Sequence, residues 1–209
     1  MKLSKTTLAL AVIITLIPCL IGVFLWGRLP ERIPTHFNFS GEINGYSSKG
    51  SFVIGMPVLM AAVEFLMYFF IANDPKRKNM SRKLIAITFW IIPVLTVFMM
   101  MLCYGIALGM GIDIGMAVNL FLGIFLVIIG NYLPKTRQNY SMGIKLPWTL
   151  SSEENWNRTH RMAGWLWVAG GVLFVVNAFF KSPVLMILAL ILMTGIPAGY
   201  SFWLYRHGI

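Results

Sequence analysis

Charged side chains are scarce in this 209-residue chain, at 11% of the total against about 25% in a typical soluble domain. Acids are scarcer still, with 7 Asp and Glu in all. That excludes an ordinary water-soluble enzyme and a charge-rich disordered tail. Cysteine is nearly absent. Cys19 and Cys103 each lie inside an apolar run, and no C-x-x-C occurs, so a disulfide framework is excluded. The chain has no H-E-x-x-H, no Gly-rich phosphate loop and no defensible Ser/His/Asp order. It is therefore not expected to be an enzyme, and no cofactor or metal is expected.

What is plentiful is apolar surface: 58% of residues are hydrophobic and the mean hydropathy is +0.76. A bilayer core of about 30 Å needs roughly 20 apolar residues in a helix. Six runs meet that requirement: 8–26, 52–72, 84–108, 114–133, 162–180 and 183–205. The expected fold is all-α, a polytopic membrane protein with six transmembrane helices. Lys2 and Lys5 give the first run a positive start. With no small-residue cleavage site after it, it reads as an uncleaved anchor.

The net charge of +10 would point to nucleic acid in a soluble protein. Here it points to basic loops facing an anionic leaflet, and no direct nucleic-acid partner is expected. With the N-terminus inside, four of the 17 basic residues (Arg28, Arg32, Lys49, Lys181) are external and the other 13 cytoplasmic. That bias predicts an N-in/C-in topology. Residues 1–83 would hold the first two helices with an external loop at 27–51. Residues 84–209 would hold a four-helix region with a cytoplasmic loop at 134–161. Short connections predict that spans 3–4 and 5–6 pack as hairpins. Gly105-x-x-x-Gly109 and Gly195-x-x-x-Gly199 would permit close helix approach, and Pro57, Pro93 and Pro197 predict bends.

Glu64 is the sole carboxylate within a span, near its middle and with no basic partner in any span. Such a residue usually faces the bundle interior. Asn119, Asn177, Thr96 and Tyr104 are its candidate neighbours. A structural role, hydrogen-bonded between helices, competes with a proton or ligand site. In the external loop, Pro30 and Pro34 stiffen the start, residues 35–39 alternate like a short strand, and Asn44-Gly45 signals a hairpin turn. The loop is expected to be ordered, either as a binding surface or as a lid packed by Phe37, Phe39 and Tyr46. His36 alone is not a metal site.

The cytoplasmic loop is the most patterned segment. Ser151-x-x-Glu154 forms a capping box, and Glu154 and Arg158 stand at i,i+4. Glu153, Asn157 and His160 share one face at i, i+4, i+7. An acid–base constellation and a solvated polar face with tryptophan anchors are both compatible with that spacing.

Two segments resemble the SdpI family of bacterial membrane proteins, named for an immunity protein against a secreted toxin. One is Leu29-Pro30-x-x-Ile33-Pro34-Thr35-His36-Phe37-Asn38 with Gly41 and Gly45-Tyr46, similar to an uncharacterised domain that heads many members. The other comprises Gly130-Asn131, Lys135, Asn139, Gly143 to Ser151, Trp156 and Thr159-His160-Arg161. The family pattern more often carries arginine then threonine where this chain has Lys145 and Leu146, so a planar guanidinium fork is missing there. The resemblance implies protection against a secreted toxic peptide acting at the membrane. In the best-known member it also implies holding a cytoplasmic repressor at the membrane. On that reading, Glu64, His36, Asn131, Asn139, Lys145, Trp148, Thr149, Trp156, His160 and Arg161 are the candidate functional residues. The partners would be the toxic peptide outside, a repressor inside and anionic membrane lipids. Two alternatives stay open: a small proton-coupled transporter using Glu64, and an intramembrane enzyme using Glu153 and His160. The cytoplasmic residues Asn131, Asn139, Trp148, Thr149, Trp156 and His160 are expected to form one folded cap.

Overall fold

A computed structural model describes residues 4–38 and 41–209 of the chain. Lys2 and Phe39, which the sequence reading used, lie outside the described residues. Six helices are long and apolar enough to cross a membrane: 5–24, 51–72, 82–107, 114–135, 153–180 and 183–206. The protein is a multi-pass, all-α membrane protein. Their outward faces carry large apolar side chains, such as Phe24, Phe65 and Phe179, as lipid contact requires.

Two compact units divide the chain. The first holds residues 1–73 and 85–114, the second residues 74–84 and 115–209. Most of the third helix belongs with the first two helices in the first unit.

In the first unit, helix α1 (Lys5–Phe24) packs against α2 (Met56–Ala72). Ser4 caps α1 by accepting from the Thr7 N–H at 3.1 Å. Gly22 lets the helices close: a Cβ there would sit 2.2 Å from the Tyr104 hydroxyl and 2.7 Å from Val53. Tyr104 belongs to α3 (Arg82–Ala107) and donates to the Pro18 carbonyl at 3.1 Å. Leu29, Ile33, Phe52, Val53, Met100, Cys103 and Tyr104 form the core beneath the external loop. Gly105 does not serve a helix interface as expected. It makes room for Ile112 of the following turn, whose side chain a Cβ would meet at 2.6 Å.

The external loop is an antiparallel hairpin of β1 (Arg32–Phe37) and β2 (Ile43–Ser48). The turn is not at Asn44-Gly45. Those residues lie within β2, and Gly45 stands across from His36, where a Cβ would come within 2.8 Å of the histidine Cβ. The chain reverses between Asn38 and Glu42. The Asn38 side chain accepts from the Glu42 N–H at 2.9 Å, and Gly41 takes φ 81°. Lys49 is buried at the base of the hairpin. Its ammonium donates to the carbonyls of Trp26 (3.2 Å) and Leu29 (2.9 Å) and pairs with Glu31 at 2.8 Å.

Pro57 and Pro197 are accommodated by a shared device. A single π turn, Ser51–Gly55, precedes Met56-Pro57, and another, Ile191–Gly195, precedes Ile196-Pro197. A proline ring has no N–H and crowds the carbonyl four residues back. Widening the turn lets the Met56 and Ile196 N–H groups reach five residues back, to Ser51 and Ile191.

In the second unit, α4 (Ile114–Tyr132) and α6 (Glu153–Phe180) run antiparallel along a glycine seam. A Cβ on Gly123 would meet the Gly171 carbonyl at 2.7 Å, and one on Gly130 the Val168 nitrogen at 2.8 Å. The seam ends in an amide pair, with Asn177 donating to Asn119 at 3.1 Å. The sixth span consists of α7 (Pro183–Leu190), its π turn and α8 (Ile196–Arg206), and both helices pack on α6. The expected close approach at Gly195 and Gly199 is not made: Gly199 has nothing within 4 Å of a built Cβ.

Candidate functional site

The loop between α4 and α6 is folded, and its frame is Trp156. This side chain is fully buried on the first turn of α6, and its indole N–H donates to the Thr136 carbonyl at 2.7 Å. His160 lies one turn on, buried and stacked on Trp156 with centroids 4.0 Å apart. The Ile144 N–H donates to His160 Nε2 at 2.9 Å, so that nitrogen carries no proton. His160 Nδ1 lies 2.8 Å from the Trp156 carbonyl and therefore carries the proton that it donates there. The imidazole is a neutral, fully used bracket between helix and loop. Gly143, at φ 107°, crosses above both rings, where a Cβ would lie 2.4 Å from His160 Nε2 and 2.9 Å from Trp156.

The remaining loop is bonded to itself. Asn139 is buried and accepts from the Ser141 (2.9 Å) and Met142 (2.6 Å) N–H groups while donating to the Arg137 carbonyl (2.8 Å). Thr149 sits in the short helix α5 (Pro147–Ser151), accepts from the Leu146 N–H at 2.8 Å and donates to the Ile144 carbonyl at 2.9 Å. Trp148 packs its ring against Phe202 and Tyr205 of α8, with centroids 5.3 and 6.0 Å away. Its indole nitrogen is buried and has no hydrogen-bond partner among the described residues. The cap of α6 is Ser152, which accepts from the Asn155 N–H at 3.2 Å, and not Ser151 as the capping box predicted. The short helix α5 consumes Ser151 and moves the boundary by one residue. Helix α6 continues unbroken into the fifth span, and Glu154 pairs with Arg158 at 2.5 Å, at the i,i+4 spacing.

Several residues that complete the cap gave no sequence signal on their own. Gln138 donates to the Thr149 and Leu150 carbonyls, both at 2.9 Å, and accepts from the Lys76 ammonium. Asp74 accepts from the Tyr140 N–H at 2.9 Å and the Ser141 hydroxyl at 2.6 Å. Asn155 donates to the Ser201 carbonyl at 2.9 Å and accepts from the Ser201 hydroxyl at 2.6 Å, tying α6 to α8. The loop between α2 and α3 and the last helix thus both hold the cap. The i, i+4, i+8 row Trp156, His160, Gly164 could have pointed to the buried face.

Of the expected cap, Asn139, Trp148, Thr149, Trp156 and His160 come together. Asn131 does not: it is exposed, and no hydrogen bond ties it to the cap among the described residues. Lys145 and Arg161 are exposed, and the Lys145 ammonium touches only the Ser141 carbonyl, at 3.3 Å. Glu153 and Asn157 point outward while His160 points inward, so the Glu153–His160 acid–base pair does not form. Both ring nitrogens of His160 are engaged, which leaves neither to abstract a proton. Among the described residues no group of three His, Cys, Asp or Glu is placed to hold a metal.

The other candidates lie in the first unit. His36 is exposed on β1 and hydrogen-bonds across the hairpin to Asn44. Glu64 is fully buried on α2, and among the described residues neither carboxyl oxygen has a hydrogen-bond partner. Its proposed partners are occupied elsewhere: Asn119 donates to the Gly115 carbonyl and accepts from Asn177, and the Tyr104 hydroxyl donates to Pro18. Thr15 of α1 is likewise buried, with a hydroxyl that has no partner among the described residues.

Six spans, a pinned hairpin in the first unit and a hydrogen-bonded cap in the second define a small polytopic membrane protein. Residues 135–201, which hold the cap, match the SdpI/YfhL protein family, and residues 13–61, which hold the hairpin, match a domain of unknown function, DUF1648. The chain is similar to the SdpI/YfhL protein family over the first of these segments. It is 27% identical over 211 residues to "Immunity protein SdpI" of Bacillus subtilis (strain 168), covering 95% of this chain and 97% of that protein. No solved structure matches.

Proposed function

We propose that the protein is an integral membrane immunity protein that protects a bacterial cell against a secreted toxic peptide by binding and not by catalysis. The similarity to an immunity protein along 95% of the chain carries this reading, since it spans both the hairpin and the cap. On this reading the exposed face of the hairpin, with His36 and Tyr46, meets the toxin. The cap is the counterpart on the other side. Its interior is rigidly bonded, while Lys135, Arg137, Lys145, Arg158 and Arg161 are all exposed on it. Such a surface suits an acidic patch on a cytoplasmic protein, and a repressor held at the membrane would be one such partner.

The test is expression in a toxin-sensitive bacterial host. Survival on toxin with the intact chain, and its loss with a cap-broken variant that still inserts, is expected. Full sensitivity despite correct insertion would end the proposal.

One observation favours a second reading, proton-coupled transport: among the described residues, the buried Glu64 carboxyl has no hydrogen-bond partner. Proton flux into vesicles that is lost in Glu64→Gln would support it. A tight vesicle with no flux from the intact protein would remove it.

A further inference from the structure

Lys83 and Lys135 stand apart from the other basic residues of the second unit because both converge on one ring. Lys83 is at the start of α3, and Lys135 is in the turn that follows α4. Their ammonium groups lie 5.5 and 4.7 Å from the centroid of Tyr132, so the two charges are within about 10 Å of each other. Both lysines are exposed. One aromatic ring attracts a cation but cannot neutralise two.

No carboxylate is at hand to do so. On the side that the charge bias makes cytoplasmic, the acids are Asp74, Glu153 and Glu154. Asp74 is committed to the Tyr140 N–H and Ser141 hydroxyl, and Glu154 to Arg158. The two ion pairs among the described residues, Lys49–Glu31 and Arg158–Glu154, involve neither lysine.

Tyr132 is also the polar end of an apolar row. Ile124, Ile128 and Tyr132 are spaced i, i+4, i+8 on one face of α4, and Ile124 and Ile128 are 57% and 48% exposed. A ligand that matches this surface has an apolar chain to lie along the isoleucines. It also has an anionic oxygen group at the depth of the tyrosine hydroxyl. We propose that Lys83, Lys135 and Tyr132 form a headgroup clamp for an anionic phospholipid of the cytoplasmic leaflet. Its phosphate lies between the two ammonium groups, and one acyl chain runs along Ile128 and Ile124. This clamp rests on the N-in topology and not on the immunity role, so toxin challenge neither supports nor removes it.

The experiment uses the full chain purified in an uncharged detergent, titrated with phosphatidylglycerol while its unfolding temperature is followed. Phosphatidylcholine of the same chain length and inorganic phosphate are titrated in parallel. Phosphatidylglycerol is expected to raise the unfolding temperature by roughly 3–6 °C at ten times its dissociation constant, and the other two to leave it unchanged. K83Q/K135Q should weaken phosphatidylglycerol binding by roughly 30-fold, K83R/K135R should retain it, and Y132L should weaken it. K78Q/R206Q, which removes the same charge from exposed sites elsewhere on that side, should bind as the unaltered protein does. Circular dichroism establishes that each variant keeps its helices. An equal response to phosphatidylcholine, or to phosphate alone, would overturn the lipid assignment. Equal weakening in K78Q/R206Q would overturn the clamp in favour of diffuse attraction.

Discussion

The Trp156 and His160 rings lie 20° from parallel, and the same two residues are joined by a hydrogen bond from His160 Nδ1 to the Trp156 carbonyl. Each contact fixes the other. The i,i+4 bond sets the imidazole plane, and the indole beneath it leaves Nε2 facing the Ile144 N–H.

His160→Phe keeps a ring on the indole but leaves the buried Ile144 N–H unpaired. An unsatisfied buried donor costs about 1–3 kcal/mol. The variant should insert normally, unfold at a lower temperature, and become open to protease between Lys135 and Arg158 from the cytoplasmic side. Rapid cleavage of the unaltered protein in native membranes would mean that the cap is not folded.

Gly143→Ala tests the same bracket from the loop. The φ of 107° excludes an L side chain at a cost of about 1–3 kcal/mol, before any collision with His160 Nε2 is counted. Protection and cap resistance to protease should be lost together. If Gly143→Ala behaves as the unaltered protein, the loop does not cross the rings as described.

Gly130→Ala and Gly199→Ala should differ in sign. At Gly130 a Cβ meets backbone of α6 at 2.8 Å, which cannot move aside like the end of a side chain. Forcing it in should cost about 1–3 kcal/mol. Gly199 faces open space, and alanine there should be neutral or stabilise the helix by up to about 1 kcal/mol. Thermal unfolding of the two variants in the same detergent decides it.

Glu64→Leu removes a buried carboxyl that has no partner, so it should raise the unfolding temperature by a few degrees. If the carboxyl serves function, the same variant loses protection. A variant unchanged in both would show that Glu64 is neither a buried cost nor a functional group.

Topology can be read directly. A cysteine placed at exposed Glu42 should react with an impermeant reagent from outside, and one at exposed Lys78 should not. The reverse pattern would invert every inside and outside assignment made above.

The spans were legible because a bilayer asks for one simple thing, an unbroken apolar run, and six runs supply it. The candidate site was half legible. Trp156, His160 and Gly143 announce themselves by type, since large aromatics, a histidine and a glycine rarely cluster in a basic loop without a fold. Gln138, Asp74 and Ser201 did not, because their partners lie up to 67 residues away and nothing local in the chain names them. The glycine seam was missed for a geometric reason. Its glycines recur every seven residues, at 123 and 130 and at 164 and 171, a spacing that the four-residue Gly-x-x-x-Gly pattern does not contain. The hairpin turn was misplaced because Asn-Gly is favoured at tight turns, while here the Asn38 side chain closes a longer reversal.

Lys49 has a mechanical consequence. A hairpin joined to a helix by a few residues of coil would swing, and a ligand gripping it would merely drag a tether. Here the lysine at the end of β2 reaches back to the Trp26 and Leu29 carbonyls just past the end of α1. The strand pair and the helix therefore turn about a common pivot, and a load applied at Tyr46 or His36 is delivered as torque to the carbonyl end of the first span.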